Sequence, residues 1–110
     1  MKGLIIKDPW ITKILNGEKT WEIRGSNTKI RGTISLIKSG TGKIFGTVVL
    51  TKCFAVTDSA FDQGFKNHRI PESIPNRYKQ RYVWELSSPI LFKEPIPYKH
   101  PQGAVIWVNL

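Results

Sequence analysis

Three charged residues in the segment KTWEIR, residues 19–24, carry groups that could recognise a polar or charged ligand. The Arg24 guanidinium is a planar fork that suits a phosphate or a base edge. Lys19 offers a point charge for a phosphate, and it becomes a nucleophile or a base if burial lowers its pKa. The Glu22 carboxylate can accept a hydrogen bond from an exocyclic amine such as that of cytosine, or can orient Lys19.

The spacing of these residues sets a condition on the backbone. Glu22 and Arg24 are two apart and share one face of a strand, whereas Lys19 and Glu22 are three apart and lie on opposite faces of a regular one. All three line one cleft only if the strand is irregular at its start, just after Gly17. The alternative is a surface ion pair between Glu22 and Arg24, worth under about 1 kcal/mol.

Further candidate binding residues lie outside this segment. Trp10 stands at the start of a short helix and is the best candidate for stacking on a base, because every base has a face to stack on. The turn Ser39-Gly40-Thr41-Gly42 has the glycines of a phosphate cradle, although such glycines also belong to ordinary hairpin turns. A basic-aromatic cluster is a second candidate surface, with Arg77, Tyr78 and Arg81 as its binding residues.

Short apolar strands joined by turns must position these groups. The pattern predicts strands at about residues 3–7, 19–24, 32–38, 43–56, 81–86, 90–92 and 104–108, with a helix over 9–15 and a short helix over 58–66. Ser87-Ser88-Pro89 is expected to break a strand, and 67–80 to be an exposed connection. About six strands with one or two short helices predict an α+β fold, a small mixed β-barrel. We expect one domain over residues 1–110.

Charge is the most informative bulk property of the chain. Seventeen Lys and Arg against eight Asp and Glu give a net charge of +9 in 110 residues, and such a field attracts polyanions. Nucleic acid is therefore the favoured partner. The apolar runs are too short for a membrane span of roughly 20 residues, and we expect a cytoplasmic protein that binds no membrane.

Metal and disulfide chemistry have little support in the sequence. The lone cysteine, Cys53, has no partner for a disulfide and lies in an apolar run. His68 and His100 lack carboxylates at ligand spacing, so we expect no metal site and no cofactor.

The segment DPWITKILNGEKTWEIR, residues 8–24, resembles the opening of ASCH domains, a branch of the PUA-like superfamily. The matching pattern is Gly-x-Lys-x-x-Glu-x-Arg, which stands here as Gly17, Lys19, Glu22 and Arg24. The segments ISLIKSGTGKIFGTVVL, YVWEL and EPIPYKHPQGAVIWV extend the resemblance over residues 3–108. It implies a PUA-like barrel with a cleft beside the first helix, suited to RNA or nucleotide-like ligands.

Two functions follow from this resemblance together with the residues. The first is a module that binds RNA, single-stranded DNA or a modified nucleotide through charge and stacking. The second is a small hydrolase, either a ribonuclease or an amidohydrolase acting on N4-acylcytidine, with Lys19 and Glu22 as catalytic residues. The amidohydrolase group implies a threonine three residues after the lysine, where this sequence has Glu22. Binding is therefore the first hypothesis.

Overall fold

A computed structural model describes all residues, 1–110, as strands, short helices and connecting loops. The elements in chain order are β1 (Lys2–Ile6), α1 (Trp10–Leu15), β2 (Trp21–Arg24), β3 (Gly32–Lys38), β4 (Lys43–Val56), α2 (Asp58–Gln63), α3 (Phe65–His68), β5 (Arg81–Pro97) and β6 (Trp107–Asn109). No helix has the length and apolar character needed to cross a membrane.

The six strands form one mixed sheet in the order β2-β5-β4-β3-β1-β6. Only β1 and β3 pair in parallel, and α1 lies in the connection between β1 and β2. The predicted small α+β fold of about six strands is confirmed. The ladder does not return from β6 to β2, so hydrogen bonding leaves the predicted barrel open.

The core lies between the sheet and α1. The helix contributes Ile11, Ile14 and Leu15, the apolar stripe expected from the spacing of these residues. They pack on buried side chains from the strands, among them Leu4 and Trp84. The N-cap of α1 is Pro9, and the carboxylate of the preceding Asp8 accepts hydrogen bonds from the amide and hydroxyl of Thr12.

The longest strands are irregular, which lets them bend around the core. The β4–β5 register shifts next to Gly46, and a Cβ there would clash with the carbonyl of Ile90. The predicted break at residues 87–89 is wrong, because β5 continues through it. Ser88 takes a left-handed φ of 51°, so a local kink replaces the break.

The helical region after β4 also differs from the prediction. Thr57, one residue before the predicted start of the helix, caps α2 by accepting a hydrogen bond from the amide of Ala60. The segment predicted as one helix is two, α2 and α3. The second extends to His68, into the stretch predicted as an exposed connection.

Candidate functional site

A pocket of about 350 Å³ lies between β2, the end of β1 and the loop that follows α3. Of the nine residues predicted to bind a ligand, eight line it. Its lining comprises Ile5, Ile6, Lys7, Trp10, Lys19, Glu22, Ile23, Arg24, Ser39, Phe61, Ile70, Ile74, Pro75, Asn76, Arg77, Tyr78, Arg81 and Val105.

The backbone between α1 and β2 brings Lys19 and Glu22 to the same pocket. Gly17 has a φ of +89°, which ends the helical turn in the left-handed region. The Lys19 amide then bonds back to the carbonyl of Lys13, and the regular strand begins only at Trp21. The strand therefore has the irregular start that the three-residue spacing of Lys19 and Glu22 requires. Lys19 Nζ lies 3.9 Å from Glu22 Oε1.

Lys19 is a buried cation with a single close hydrogen-bond acceptor. Only 1% of the residue is exposed, and its Nζ donates to the carbonyl of His68 at 2.6 Å. The ammonium also lies 5.2 Å from the centre of the Trp10 ring. Burial lowers the pKa of Lys19 to about 8; the carboxylate of Glu22 opposes this shift, and the charge of Arg24 adds to it.

Glu22 and Arg24 form a tightly bonded pair on β2. Arg24 donates from Nε at 3.0 Å and from Nη2 at 2.8 Å to the same oxygen, Glu22 Oε2. Its Nη2 also donates to the carbonyl of Ile5. The pair is not a surface ion pair, because only 6% of Glu22 is exposed. Much of the predicted guanidinium fork is thus bonded within the protein, which leaves Arg24 Nη1 and Glu22 Oε1 for a ligand.

His68 is a residue that the sequence analysis placed in an exposed connection, and the structure buries it. Its Nδ1 accepts the amide proton of Ile70, so Nε2 carries the proton donated to the carbonyl of Phe61. The imidazole stacks on the Phe61 ring with centroids 3.9 Å apart. Burial lowers the pKa of His68. The side chain therefore fixes the backbone carbonyl that holds Lys19.

Arg77, Tyr78 and Arg81 of the basic-aromatic cluster form a wall of this same pocket, whereas Lys79 and Gln80 line an adjoining groove. Tyr78 packs directly on Gly25, where an added Cβ would lie 2.6 Å from the ring. Arg81 bonds to Asp58 at 2.8 Å, and its guanidinium lies 3.8 Å from the centre of the Phe61 ring. The loop is thereby anchored at both ends against β2 and the helical region.

The predicted phosphate cradle contributes only Ser39 to the pocket. Gly40 does not line it, and the amides of Ser39 and Thr41 already bond to the carbonyls of Ile6 and Lys38. The bond from Thr41 to Lys38 is that of an ordinary hairpin turn, the alternative interpretation of its glycines, and the bond from Ser39 to Ile6 extends the pairing of β3 with β1.

The tryptophans divide between pocket and core. Trp10 lines the pocket, half-buried, with Lys19 against its ring. Trp84 is buried and stacks on Trp107, while Trp21 packs edge-on against Phe54. Trp10 is therefore the one tryptophan that lines the pocket.

Two further side chains that could take part in catalysis, Glu85 and Cys53, lie outside the pocket. Glu85 accepts a hydrogen bond from Thr51 and does not line the pocket. Cys53 is half-buried on β4 and also lies outside it. No group of three or more His, Cys, Asp or Glu side chains is arranged to hold a metal ion.

Several pocket residues were not predicted from the sequence. They are the apolar and polar side chains on the end of β1, on α2, on the loop after α3 and before β6: Ile5, Ile6, Lys7, Ile23, Phe61, Ile70, Ile74, Pro75, Asn76 and Val105. Two signals were available: Ile23 lies inside the charged segment 19–24, and Asn76 directly precedes Arg77 and Tyr78. The others depend on the packing of distant segments.

Comparisons with known proteins agree with this fold. The crystal structure of ASCH from Zymomonas mobilis superposes with a TM-score of 0.77 at 12% identity, over 99% of this chain and 86% of that one. A serine-to-alanine variant of that protein superposes with a TM-score of 0.72 at 13% identity, over 99% of this chain and 87% of that one. A tyrosine-to-phenylalanine variant gives 0.77 at 12% identity, over 99% and 88%.

At these identities the structural likeness establishes the fold alone. No curated protein sequence matches the chain significantly. The family model described as ASCH domain matches residues 4–96, which include most of β1, all of β2 to β4, all three helices and most of β5. The chain belongs to the ASCH domain family.

Proposed function

We propose that the pocket binds one nucleotide unit of a single-stranded nucleic acid, RNA or DNA, or a free modified nucleotide. The observation that carries this proposal is the combination of a buried polar floor with a basic rim. The floor consists of Lys19, Glu22 and Arg24, and the rim of the exposed cations Lys7 and Arg77.

The size of the pocket favours a single unit. Small-molecule sites have volumes of about 300–1,000 Å³, and 350 Å³ lies at the lower end of that range. A base with part of its sugar suits this space, whereas a folded or duplex nucleic acid does not enter it. Apolar side chains such as Ile70 and Ile74, together with the Tyr78 ring, supply surface for the faces of a base.

The floor offers a hydrogen-bond donor next to an acceptor. Arg24 Nη1 donates no hydrogen bond within the protein. Glu22 Oε1 accepts no hydrogen bond from any protein group. The Watson–Crick edge of every base presents a donor beside an acceptor, so this floor can pair with a base edge. Lys19 adds a positive charge beneath it.

The rim attracts the phosphate. Five cations line the pocket, Lys7, Lys19, Arg24, Arg77 and Arg81, against one carboxylate, Glu22. Lys7 and Arg77 take part in none of the ion pairs of the molecule. Their charges are therefore not neutralised within the protein, and they lie where the sugar-phosphate of a bound unit would emerge.

Binding of labelled single-stranded RNA and DNA across a salt series tests the proposal. We expect the affinity to fall steeply with salt, because bound phosphates release counterions. Arg24→Ala should weaken binding at every salt concentration. Arg77→Ala should reduce the slope of log affinity against log salt concentration by about one. Lys93→Ala, at the far end of β5, is the matched control. Equal losses in Lys93→Ala and Arg77→Ala would contradict a site at this pocket.

A second candidate function, a hydrolase in the same pocket, is favoured by one observation. The pKa of Lys19 is lowered to about 8, so a substantial fraction of its amine is neutral at mildly alkaline pH. A neutral Lys19 can take a proton from a water molecule that attacks the carbonyl carbon of an N4-acylated base; the C–N bond then breaks, and the free base amine leaves with the proton that Lys19 returns. At an RNA phosphate the same water would attack phosphorus, and the P–O bond to a sugar oxygen would break as that oxygen takes the proton. Glu22 Oε1, 3.9 Å away, would orient the amine.

The two functions predict opposite responses to pH. If Lys19 serves as a charge, affinity for nucleotides falls as pH rises through about 8, because the ammonium loses its proton. If Lys19 serves as a base, the hydrolysis rate rises through the same range. Lys19→Met should remove the pH dependence in either case. Turnover of N4-acylcytidine or RNA by the wild type, absent in Lys19→Met, would favour the hydrolase.

A further inference from the structure

A second concave surface adjoins the pocket and shares two residues with it. This groove, of about 340 Å³, is lined by Ala55, Val56, Thr57, Asp58, Asn76, Lys79, Gln80 and Arg81. Asn76 and Arg81 belong to both surfaces. A chain that leaves the pocket between these two side chains therefore continues directly into the groove.

We propose that the groove binds the sugar-phosphate of the nucleotide adjacent to the one in the pocket, so that the ligand is an oligonucleotide rather than a mononucleotide. This inference rests on the proposed function, because it extends the same bound strand. It adds a second subsite that shares Asn76 and Arg81 with the pocket.

Lys79 supplies the charge of this second subsite. It is exposed and takes part in no ion pair of the molecule. The one carboxylate of the groove, Asp58, is bonded to Arg81 at 2.8 Å, which neutralises it. The unpaired positive charge of the groove therefore belongs to Lys79, and a phosphate is the anion that successive nucleotides supply at a fixed spacing.

Arg81 and Asn76 give the junction a defined shape. The Arg81 guanidinium lies over the Phe61 ring and is held by Asp58, so its position is fixed before a ligand binds. The Asn76 side chain accepts the amide proton of Tyr78 and donates to the Tyr78 carbonyl, which closes the bend of the loop. Both residues thus form a preorganised passage between the two surfaces.

The groove has no aromatic lining residue, in contrast to the pocket. The amide nitrogen of Gln80 is already bonded to the carbonyls of Val56 and Arg81. Without a ring for stacking, the second nucleotide is held by its backbone and not by its base. The subsite should therefore add affinity with little preference for the base it carries.

The test compares the four ribonucleoside 5′-monophosphates with their homodinucleotides, by calorimetry, on wild type, Lys79→Ala and Lys93→Ala. We expect each dinucleotide to bind at least about threefold more tightly than its monomer. Lys79→Ala should abolish that gain and leave monomer binding unchanged. Lys93→Ala, which removes the same charge at the far end of β5, should retain the gain.

Three results would overturn the second subsite. Dinucleotides that bind no better than monomers would exclude it while leaving the pocket proposal standing. A gain that survives in Lys79→Ala would place the second nucleotide elsewhere. If neither monomers nor dinucleotides bind, the proposed function itself fails and the groove fails with it.

Discussion

The pocket floor and the pocket rim carry the same sign of charge but differ in how the protein holds that charge. On the floor, Lys19 and Arg24 are bonded to Glu22, His68 and the backbone of β1. On the rim, Lys7 and Arg77 are exposed and have no acidic partner. The floor is part of the folded architecture, whereas the rim is surface.

This difference separates stability from binding. A buried charge needs its partners, because an isolated ion in the interior is strongly penalised. An exposed unpaired cation contributes little to folding and acts mainly on an incoming anion. Substitutions on the floor should therefore change stability and binding together, while substitutions on the rim should change binding alone.

Removing the floor carboxylate should have the largest effect. Glu22→Gln leaves Lys19 and Arg24 buried without a counter-charge, and breaking such a pair reduces the free energy of unfolding by about 3–5 kcal/mol. Chemical denaturation measures it. Glu94→Gln, an exposed site on β5, is the control and should change stability by less than about 0.5 kcal/mol. Equal effects at the two positions would remove the distinction between floor and surface.

Disrupting the contact between Gly25 and Tyr78 should cause the second-largest loss of stability. A Cβ at residue 25 would lie 2.6 Å from the Tyr78 ring, so Gly25→Ala must displace the ring and the loop wall, at about 1–3 kcal/mol of stability. In the double variant Gly25→Ala/Tyr78→Ala the ring is absent, and the effect of the alanine at residue 25 should shrink. Additive effects in denaturation would show that the two residues are not coupled.

Acidification should lower the free energy of unfolding through His68, by less than either of the two substitutions above. Burial keeps the folded-state pKa of His68 below its usual 6.5, so the unfolded chain binds the proton first. Stability is therefore full above pH 6.5 and is lost as pH falls towards the lower folded-state pKa. His68→Gln should flatten this part of the stability profile, whereas His100→Gln, at an exposed site, should leave it unchanged.

Substitution of a rim cation should have the smallest effect on stability. Arg77→Ala should leave the free energy of unfolding within about 0.5 kcal/mol of wild type and weaken binding of a single-stranded oligonucleotide about threefold at low salt. Thermal denaturation and a binding titration on the same sample measure both quantities. A large loss of stability would mean that the rim, like the floor, is built into the fold.

The charged site was predictable because its residues lie within six positions of one another. The spacing of Lys19 and Glu22 specified the irregular backbone that they needed, and the structure has it after Gly17. The open edge of the sheet could not be inferred, because closure depends on the relative placement of the distant strands β2 and β6.

Other features depended on contacts that local sequence does not encode. His68 stands in a polar stretch, and its burial arises from packing against Phe61 and from the approach of Lys19, 49 residues earlier in the chain. Ser87-Ser88-Pro89 has the composition of a turn, yet pairing with β4 keeps the strand continuous around a left-handed Ser88. Tertiary contacts overrode the local signal at both places.

Mapping of backbone amide chemical shifts during titration with a nucleoside monophosphate tests the central claim most directly. If the pocket binds a nucleotide, we expect chemical-shift changes concentrated at residues 19–24 and 77–81. The amide shifts of the exposed far half of β5, residues 90–96, should not change. Arg24→Ala should abolish these shifts. Saturable shifts centred on the far half of β5, or shifts at the pocket that persist in Arg24→Ala, would contradict a nucleotide site floored by Lys19, Glu22 and Arg24.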